Sequence, residues 1–253
     1  MTPDTTEKGL EALIVLHMTA EAGYHAGSPK DFHRNYALDL AQLFAFLEIT
    51  QPEELKKLGL TDDPEHINRL KFLARLSSEI GKRGVIDVLR NGVDHGQSNF
   101  TLFYATPSEG NSKAIEQHAR NRFSITRQLA YSQDQTRHTL DLCLFINGLP
   151  IATFELKNSL TKQTVADAIA QYKNGRDPRE LLFQFGRCVV HFAVDDSEVR
   201  MCTEMKGKPS WFLPFNQGYH DGAGNPPNPH GLKTDYLWRQ VLTPAGLTNV
   251  LEN

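Results

Sequence analysis

Residues 141–157 read DLCLFINGLPIATFELK, and this stretch decides the fold. Two apolar runs of strand length flank Asn147-Gly148, a dipeptide that strongly favours a tight hairpin turn. The stretch is therefore predicted to form a β-hairpin, with Asp141 on the first strand and Glu155 and Lys157 on the second. Charged side chains on otherwise apolar strands are costly to bury unless they are paired or bind a metal. The hairpin is thus the predicted location of a functional site.

The register of the hairpin decides whether these charged side chains can meet. Side chains alternate between the two faces of a strand, so a plain two-residue turn would place Asp141 and Glu155 on opposite faces. A three-residue loop over residues 146–148, with Gly148 in the left-handed conformation and a bulge, restores the parity. The two carboxylates would then be diagonal neighbours, about 7–8 Å apart at the backbone. We therefore expect a bulged or three-residue turn, and a clean two-residue turn would count against a shared site.

Two carboxylates and a lysine on one face suit metal-assisted cleavage of a phosphodiester. Mg²⁺ prefers hard oxygen ligands, typically one or two carboxylates with waters and phosphate oxygens. A metal-bound water is a better nucleophile, and the cation polarises the phosphoryl oxygen. On this interpretation Asp141 and Glu155 bind Mg²⁺, and Lys157 orients the water or stabilises the developing charge. In the structural alternative, Asp141 ends a strand at a turn, and Glu155 and Lys157 form a solvated pair at a sheet edge.

Several segments besides the hairpin resemble one family of nucleases. Asp141, the Asn-Gly-Leu-Pro turn at 147–150 and the Glu-x-Lys strand at 155–157 resemble the nuclease site of the R (restriction, or motor) subunit of type I restriction-modification enzymes. The similarity continues in residues 123–128 (FSITRQ), 167–172 (DAIAQY), 177–182 (DPRELL), 213–216 (LPFN) and 222–227 (GAGNPP). It covers nearly the whole chain and is strongest between Asn121 and Asn228.

The resemblance implies an α/β fold with a PD-(D/E)xK (restriction-endonuclease-like) core, in which a mixed β-sheet is flanked by helices. Residues 1–97 are expected to form a helical N-terminal region, in which Ser28-Pro29 starts a helix that continues through Glu48. Residues 98–204 would form the nuclease core, and residues 205–253 a Gly/Pro/Asn-rich loop with a C-terminal helix.

An ATP-driven motor follows the nuclease domain in the family. This chain contains no G-x-x-x-x-G-K-[ST] phosphate loop. ATP dependence is therefore expected only of a full subunit. The chain is expected to be a fragment whose last residues lead toward the missing motor domain.

The family also has a Gln-x-x-x-Tyr motif on the helix after the Glu-x-Lys strand, which is thought to steady the site. Here Gln171 matches the first position, but Gly175 stands at the second, and the nearest tyrosine is Tyr172. We expect Gln171 to support the site, with Tyr172 as a further candidate. Related nucleases often add a carboxylate from the first helix, for which Glu11 is the candidate. The alternative for Glu11 is a solvated helical glutamate.

Charge gives a mixed indication about DNA binding. With a net charge of −3 and a pI near 6.4, the chain of 253 residues lacks the basic balance typical of stand-alone DNA-binding proteins. Basic residues nevertheless concentrate around the predicted site, where they could follow the DNA backbone or be ordinary surface charge. The candidates for DNA-backbone contacts are Arg127, Lys162, Lys173, Arg176 and Arg179.

Cysteine usage and hydropathy bear on the compartment. Cys143, Cys188 and Cys202 lie in apolar, strand-like segments without metal-ligand spacing. Buried reduced thiols in a reducing cytoplasm are therefore expected. No apolar run approaches the length of a membrane span, so no membrane partner is expected.

These patterns favour a Mg²⁺-dependent DNA endonuclease domain of a type I site-specific deoxyribonuclease, which acts in restriction of foreign DNA. By resemblance, its partners are DNA and the specificity and methyltransferase subunits, and the isolated chain is expected to be inactive without the motor and these subunits. One alternative is a stand-alone repair or recombination nuclease of the same fold, which predicts cleavage by the isolated chain. The other is a non-catalytic docking module between motor and methyltransferase, for which Asp141→Ala would change no assay.

Overall fold

The computed structural model describes residues 7–60, 63–134 and 138–253, without the side chains of residues 7, 8 and 160. Residues 1–6 of the predicted N-terminal region lie outside these ranges. The helices are α1 (Glu7–Ala20), α2 (Leu40–Thr50), α3 (Pro52–Lys57), α4 (Ile67–Arg83), α5 (Val85–Asn91), α6 (Ser112–Ala119), α7 (Val165–Gly175) and α8 (Pro244–Glu252). The strands are β1 (His25–Ala26), β2 (Phe32–His33), β3 (Leu38–Asp39), β4 (Val93–His95), β5 (Ser98–Phe100), β6 (Phe123–Ala130), β7 (Thr139–Ile146), β8 (Leu149–Leu156), β9 (Val190–Val194), β10 (Val199–Cys202) and β11 (Leu213–Pro214).

A seven-stranded mixed sheet organises the fold, in the order β1-β6-β7-β8-β9-β10-β11. Strands β6, β7 and β8 form an antiparallel meander. The chain then crosses through α7, so that β9 pairs in parallel with β8. Helices flank the sheet, and this arrangement confirms the predicted α/β fold with a mixed sheet.

Apolar side chains pack into two cores, one on each face of the sheet. The larger core joins the sheet to α1, α2, α4 and α5, whereas the smaller joins it to α7. Because residues alternate along β7, Leu142 and Leu144 face the larger core, while Cys143 and Phe145 face the smaller. Every residue of β8 is buried, so a charged side chain on this strand lies inside the protein.

Residues 28–39 are not helical, so the first half of the helix predicted to start at Ser28 is wrong. The segment forms the short antiparallel strands β2 and β3. The Asp39 side chain then accepts a hydrogen bond of 3.1 Å from the Gln42 backbone N–H, and this cap begins α2. The Asp39 backbone N–H donates to the Gly148 carbonyl at 2.9 Å. The segment is thereby tied to the turn of the central hairpin.

The first elements of the chain belong to the same sheet and core as the later ones. Helix α1 packs against β6 and β8, and β1 pairs in parallel with β6. The division at residues 97 and 204 stays a prediction. Within the described ranges, no helix has both the length and the apolar character needed to span a bilayer.

Candidate active site

The turn of the central hairpin differs from the predicted one. Asn147 and Gly148 alone connect β7 to β8, and both have left-handed backbone, with φ of 50° and 81°. Two successive left-handed residues are typical of the type I′ turn, which matches the twist of antiparallel strands. The predicted three-residue loop is therefore wrong. A Cβ on Gly148 would collide with the carbonyl oxygen of Asp39, so glycine is required at this contact.

A β-bulge inside the strand, rather than at the turn, restores the parity that a shared site needs. The register shifts between Leu144 and Phe145 because Ile151 is an extra residue on β8. One extra residue reverses the face that each later residue of the strand occupies. Continued beyond the bulge, the register places Asp141 directly across from Glu155 instead of diagonal to it. The two carboxylates thus share a face through a two-residue turn and a displaced bulge.

Asp141 lies near the surface of the sheet and contacts two neutral donors. Its side chain is 9% exposed. Its Oδ2 accepts a hydrogen bond of 2.7 Å from the Leu156 backbone N–H, and its Oδ1 lies 3.4 Å from the Gln128 amide nitrogen. The first contact crosses from β7 to β8, so it fixes the carboxylate beside the strand that carries Glu155.

Glu155 is fully buried, with 0% exposure, and its carboxylate pairs with the guanidinium of Arg176. Its Oε1 accepts a hydrogen bond of 2.7 Å from Nε of Arg176 and lies 2.6 Å from Nη2 in the same ion pair. Its Oε2 is buried and has no hydrogen-bond partner among the described residues. Burial raises the pKa of Glu155 to about 8; Arg176 opposes this rise, and the neighbouring Asp141 adds to it.

Arg176 lies inside the protein instead of on its surface. The chain leaves α7 in an extended conformation at this residue. The guanidinium turns back under β7, where Nη2 donates to the Thr139 carbonyl at 2.7 Å and Cζ lies 5.5 Å from the ring centre of Tyr131. Arg176 is 7% exposed. The predicted DNA-backbone contact is therefore wrong, because the guanidinium is occupied by Glu155 and by the strand.

Lys157 continues the line of charged residues at the end of β8. It is 6% exposed, and its backbone N–H donates to the Val194 carbonyl at 2.9 Å, which extends the pairing with β9. The ammonium lies close enough to lower the pKa of Glu155. Asp141, Glu155 and Lys157 are thus brought together as the sequence predicts.

Glu11 reaches the same cluster from helix α1. It is 3% exposed, and its carboxylate accepts hydrogen bonds from Arg127 Nε and from Gln128 Nε2, the latter at 2.6 Å. The Gln128 amide therefore joins the carboxylates of Glu11 and Asp141. A left-handed backbone, with φ of 47°, interrupts the β6–β7 pairing at Gln128. Sequence reasoning missed Gln128, although the residue closes the FSITRQ segment.

The two residues expected from the helix after β8 have different surroundings. Tyr172 is completely buried, and its hydroxyl shares a 2.8 Å hydrogen bond with Thr153, which also contacts His191 Nδ1 at 2.8 Å. Gln171 is half-buried on α7. The hydrogen bond to the Glu155 side chain comes from Arg176, one residue beyond the place where the family motif has its tyrosine.

The remaining basic candidates differ in their availability. Arg127 is half-exposed and pairs with Glu11, while Arg179 is exposed and pairs with Asp177 at 2.6 Å. Lys162 is exposed before α7, and Lys173 is half-buried in the last turn of that helix.

The donor set fits a hard cation held partly by the substrate. Within the described ranges, no three His, Cys, Asp or Glu side chains form a metal-binding group. The two carboxylates of Asp141 and Glu155 meet, and the buried Oε2 lacks a partner. Mg²⁺ commonly uses one or two carboxylates and completes its shell with water and phosphate oxygens.

Comparison with known proteins gives one assignment. A family model described as the type I restriction enzyme R protein N terminus matches residues 4–210. The chain belongs to this family. No curated protein gives a significant match to the chain. The assignment confirms the resemblance, agrees with a restriction-endonuclease-like fold, and indicates the nuclease region of a type I restriction system, whose partners include DNA.

Proposed function

We propose that this chain is the DNA endonuclease domain of a type I restriction R subunit and hydrolyses phosphodiester bonds with Mg²⁺. The observation that carries the proposal is the meeting of Asp141 and Glu155 across paired strands. One oxygen of the buried Glu155 is left without a partner. A buried carboxylate oxygen in this state is costly unless a cation or a proton satisfies it.

Asp141 and Glu155 are the residues that would hold the cation. Bound there, Mg²⁺ supplies an activated water and neutralises charge on the phosphate. Arg176 pairs with Oε1 of Glu155, so the buried Oε2 is the oxygen that would bind the cation. Lys157, next on the same face, orients the attacking water or stabilises the charge that develops on the phosphate.

The surrounding residues act by positioning the carboxylates. Gln128 donates to Asp141 and to Glu11, so it sets the orientation of one carboxylate against the other. Glu11 adds negative charge at the edge of the site and is proposed as an accessory carboxylate. Tyr172 anchors the strand below the site through Thr153. Gln171 is proposed to support the site from the outer side of α7.

The wider setting follows from the family. We propose that the chain works with the specificity and methyltransferase subunits, and that ATP acts only through the motor domain of a full subunit. Because the specificity subunit reads the sequence, this domain needs contacts to the DNA backbone instead of to bases. The free, buried Cys143, Cys188 and Cys202 support a reducing compartment such as the cytoplasm.

A second candidate is a non-catalytic docking module between motor and methyltransferase. One observation favours it: the Arg176 guanidinium forms an ion pair with the buried Glu155. In a vestigial site such a pair would be permanent. In a working site the pair leaves Oε2 free for a cation.

Calorimetric titration with Mg²⁺ distinguishes these candidates. Wild type is compared with Asp141→Asn and Glu155→Gln, with and without a short duplex. The control is Glu204→Gln, which removes a half-exposed carboxylate paired with Lys206. The nuclease proposal predicts saturable binding that both site variants lose and the control keeps, followed by loss of cleavage in the assembled enzyme.

Two other outcomes would change the conclusion. Absence of Mg²⁺ binding in wild type, even with duplex present, would leave the docking module as the better interpretation. Cleavage of DNA by the isolated chain would instead indicate a stand-alone nuclease of the same fold.

A further inference from the structure

A groove of about 530 Å³ lies beside the candidate active site, between the 29–35 segment and strand β6. Lys30, His33, Arg34 and Asn35 line it on one side, and Gln128 and Ala130 line it on the other. This segment was expected to be a helix. Because it is instead a turn with two short strands, it presents side chains toward the end of β6.

The charge of the groove is positive. Lys30 and Arg34 contribute two cations, and no carboxylate belongs to the lining. Burial lowers the pKa of His33, so the neutral imidazole adds a hydrogen-bonding group without charge. Within the described part of the chain, neither Lys30 nor Arg34 forms an ion pair with a carboxylate.

The Arg34 guanidinium is held in place before any ligand arrives. Its Nε donates to the carbonyl of Ala130 at 3.0 Å, which leaves the terminal nitrogens available to the groove. A fixed guanidinium loses less side-chain entropy on binding and presents a fork that matches phosphate oxygens. Lys30 is exposed on the neighbouring turn and can add a second charge.

The groove leads directly into the site through Gln128. The same side chain lines the groove and hydrogen-bonds both Glu11 and Asp141. Ala130 lies two residues further along β6, which is about 7 Å at the rise of an extended strand. A charge at that spacing falls about two base-pair steps from the carboxylates, since each step of a duplex rises about 3.4 Å.

A second cavity, which includes Arg176, differs from the groove in charge. Its volume is about 550 Å³, and acids as well as bases line it. Asp177 pairs with Arg179, Glu180 accepts a hydrogen bond from Ser132, and Arg176 is occupied by Glu155. Arg176 and Arg179 of this cavity are therefore already paired with carboxylates.

We propose that the groove lined by Lys30, Arg34 and Gln128 binds the phosphate backbone of the DNA strand that enters the active site. The inference rests on the proposed nuclease function and gives it a direction of approach. Arg34 and Lys30 neutralise the phosphates next to the one that is cut, and Gln128 separates those phosphates from the carboxylates.

Binding to the groove is measured by the fluorescence anisotropy of a labelled DNA duplex. Divalent cations are left out so that the duplex is not cleaved. The double variant Lys30→Gln/Arg34→Gln is expected to weaken binding by roughly tenfold, and to lower the slope of log K against log salt by about 0.9 for each lost contact. The matched control is Lys71→Gln, an exposed lysine on α4 outside the groove, which should leave affinity and slope unchanged. The single variants Lys30→Gln and Lys30→Glu leave the Arg34 hydrogen bond in place. Both should weaken binding, and Lys30→Glu should weaken it further than Lys30→Gln.

The outcomes separate the groove from the catalytic proposal. Three outcomes would contradict DNA binding by the groove. The double variant could bind the duplex as tightly as wild type, Lys71→Gln could weaken binding equally, or wild type could fail to bind at low salt. If the double variant loses duplex affinity while its calorimetric Mg²⁺ binding is unchanged, both proposals stand. If duplex binding depends on the groove but wild type binds no Mg²⁺, the groove stands and the nuclease proposal fails.

Discussion

The two carboxylates of the candidate site lie across from each other on one hairpin, yet their surroundings differ. Asp141 is near the surface and accepts hydrogen bonds from two neutral donors, the Leu156 N–H and the Gln128 amide. Glu155 is fully buried and pairs with the Arg176 guanidinium. We therefore expect the Glu155 side to depend on the Arg176 charge, and the hydrogen bonds of the Asp141 side to act mainly on the orientation of the carboxylate. The following predictions test this contrast.

Removing the cation beside Glu155 should have the largest effect. Arg176→Ala leaves a buried carboxylate that must stay charged without its partner or take up a proton, and loss of one member of a buried pair costs about 3–5 kcal/mol. Urea unfolding followed by circular dichroism measures the change. Arg179→Ala removes an exposed arginine paired with Asp177 and should leave the unfolding free energy nearly unchanged.

A double variant then tells whether the cost comes from the unpaired charge. Glu155→Gln in the Arg176→Ala background should recover part of the lost stability, because the amide needs no counter-charge. Equal stability of Arg176→Ala and Arg179→Ala, or no recovery in the double variant, would show that Arg176 does not compensate Glu155.

Acid should remove the stability that the neutral imidazole of His191, which bonds Thr153, contributes on this face of the sheet. Burial lowers the pKa of His191 from 6.5 to about 3. Between those values the unfolded chain binds a proton that the folded chain does not, so this stability is complete above pH 6.5 and falls as the pH drops toward 3. The loss is at most about 1.4 kcal/mol per pH unit, or about 2 kcal/mol between pH 6.5 and 5.

The measurement compares wild type with His191→Gln by chemical unfolding at several pH values. The variant lacks the titrating ring, so its stability should change less over this range, and the difference between the two slopes isolates His191. Parallel slopes would mean that the imidazole is protonated in the folded protein despite its burial.

Hydroxyl groups on the two sides should also differ in their importance. Thr153 is fully buried and bonds both Tyr172 and His191, so Thr153→Val leaves buried polar groups unsatisfied at a cost of about 1–3 kcal/mol. Thr139 donates to Gln128 on the exposed side, where water can replace it. Thr139→Val should therefore lower the free energy of unfolding less than Thr153→Val. A larger loss for Thr139→Val in urea unfolding would contradict the proposed difference between the two sides.

The hairpin shows how far the sequence alone leads. Alternating apolar runs around Asn147-Gly148 predict the two strands, and parity requires an extra residue if Asp141 and Glu155 are to meet. The position of that residue depends on tertiary contacts. Gly148 packs against the Asp39 carbonyl, and its own carbonyl accepts a hydrogen bond from the Asp39 backbone N–H. These contacts favour the tight two-residue turn, so the bulge lies at Ile151 instead of at the turn.

The partners of the carboxylates were harder to predict because they come from distant parts of the chain. Arg176 directly follows α7, the helix of the crossover between β8 and β9. The packing of this crossover on the sheet brings Arg176 close to β7 and Glu155. Its basic character alone indicated a surface role. The residues 28–39 look like a helix start at Ser28-Pro29, but the cap that forms is Asp39. Both Ser28 and Asp39 are suitable N-cap residues, and the local sequence does not show which of them begins the helix. That choice depends on the contact of Asp39 with the central hairpin.

The smallest expected effect is that of the amide on the Asp141 side. Gln128→Ala releases one contact of Asp141 and one of Glu11, but Asp141 keeps the Leu156 N–H and Glu11 keeps Arg127. Each carboxylate thus retains a donor, and the loss in unfolding free energy should be about 1 kcal/mol, as for an ordinary hydrogen bond. Gln184→Ala, which removes a surface amide bonded to the Arg179 carbonyl, is the matched control. Mg²⁺ titration should nevertheless show weaker binding by Gln128→Ala than by the control, because Asp141 loses one of the donors that orient it. A stability loss as large as that of Arg176→Ala would mean that both carboxylates are held by charge compensation, and an unchanged Mg²⁺ affinity would remove Gln128 from the site.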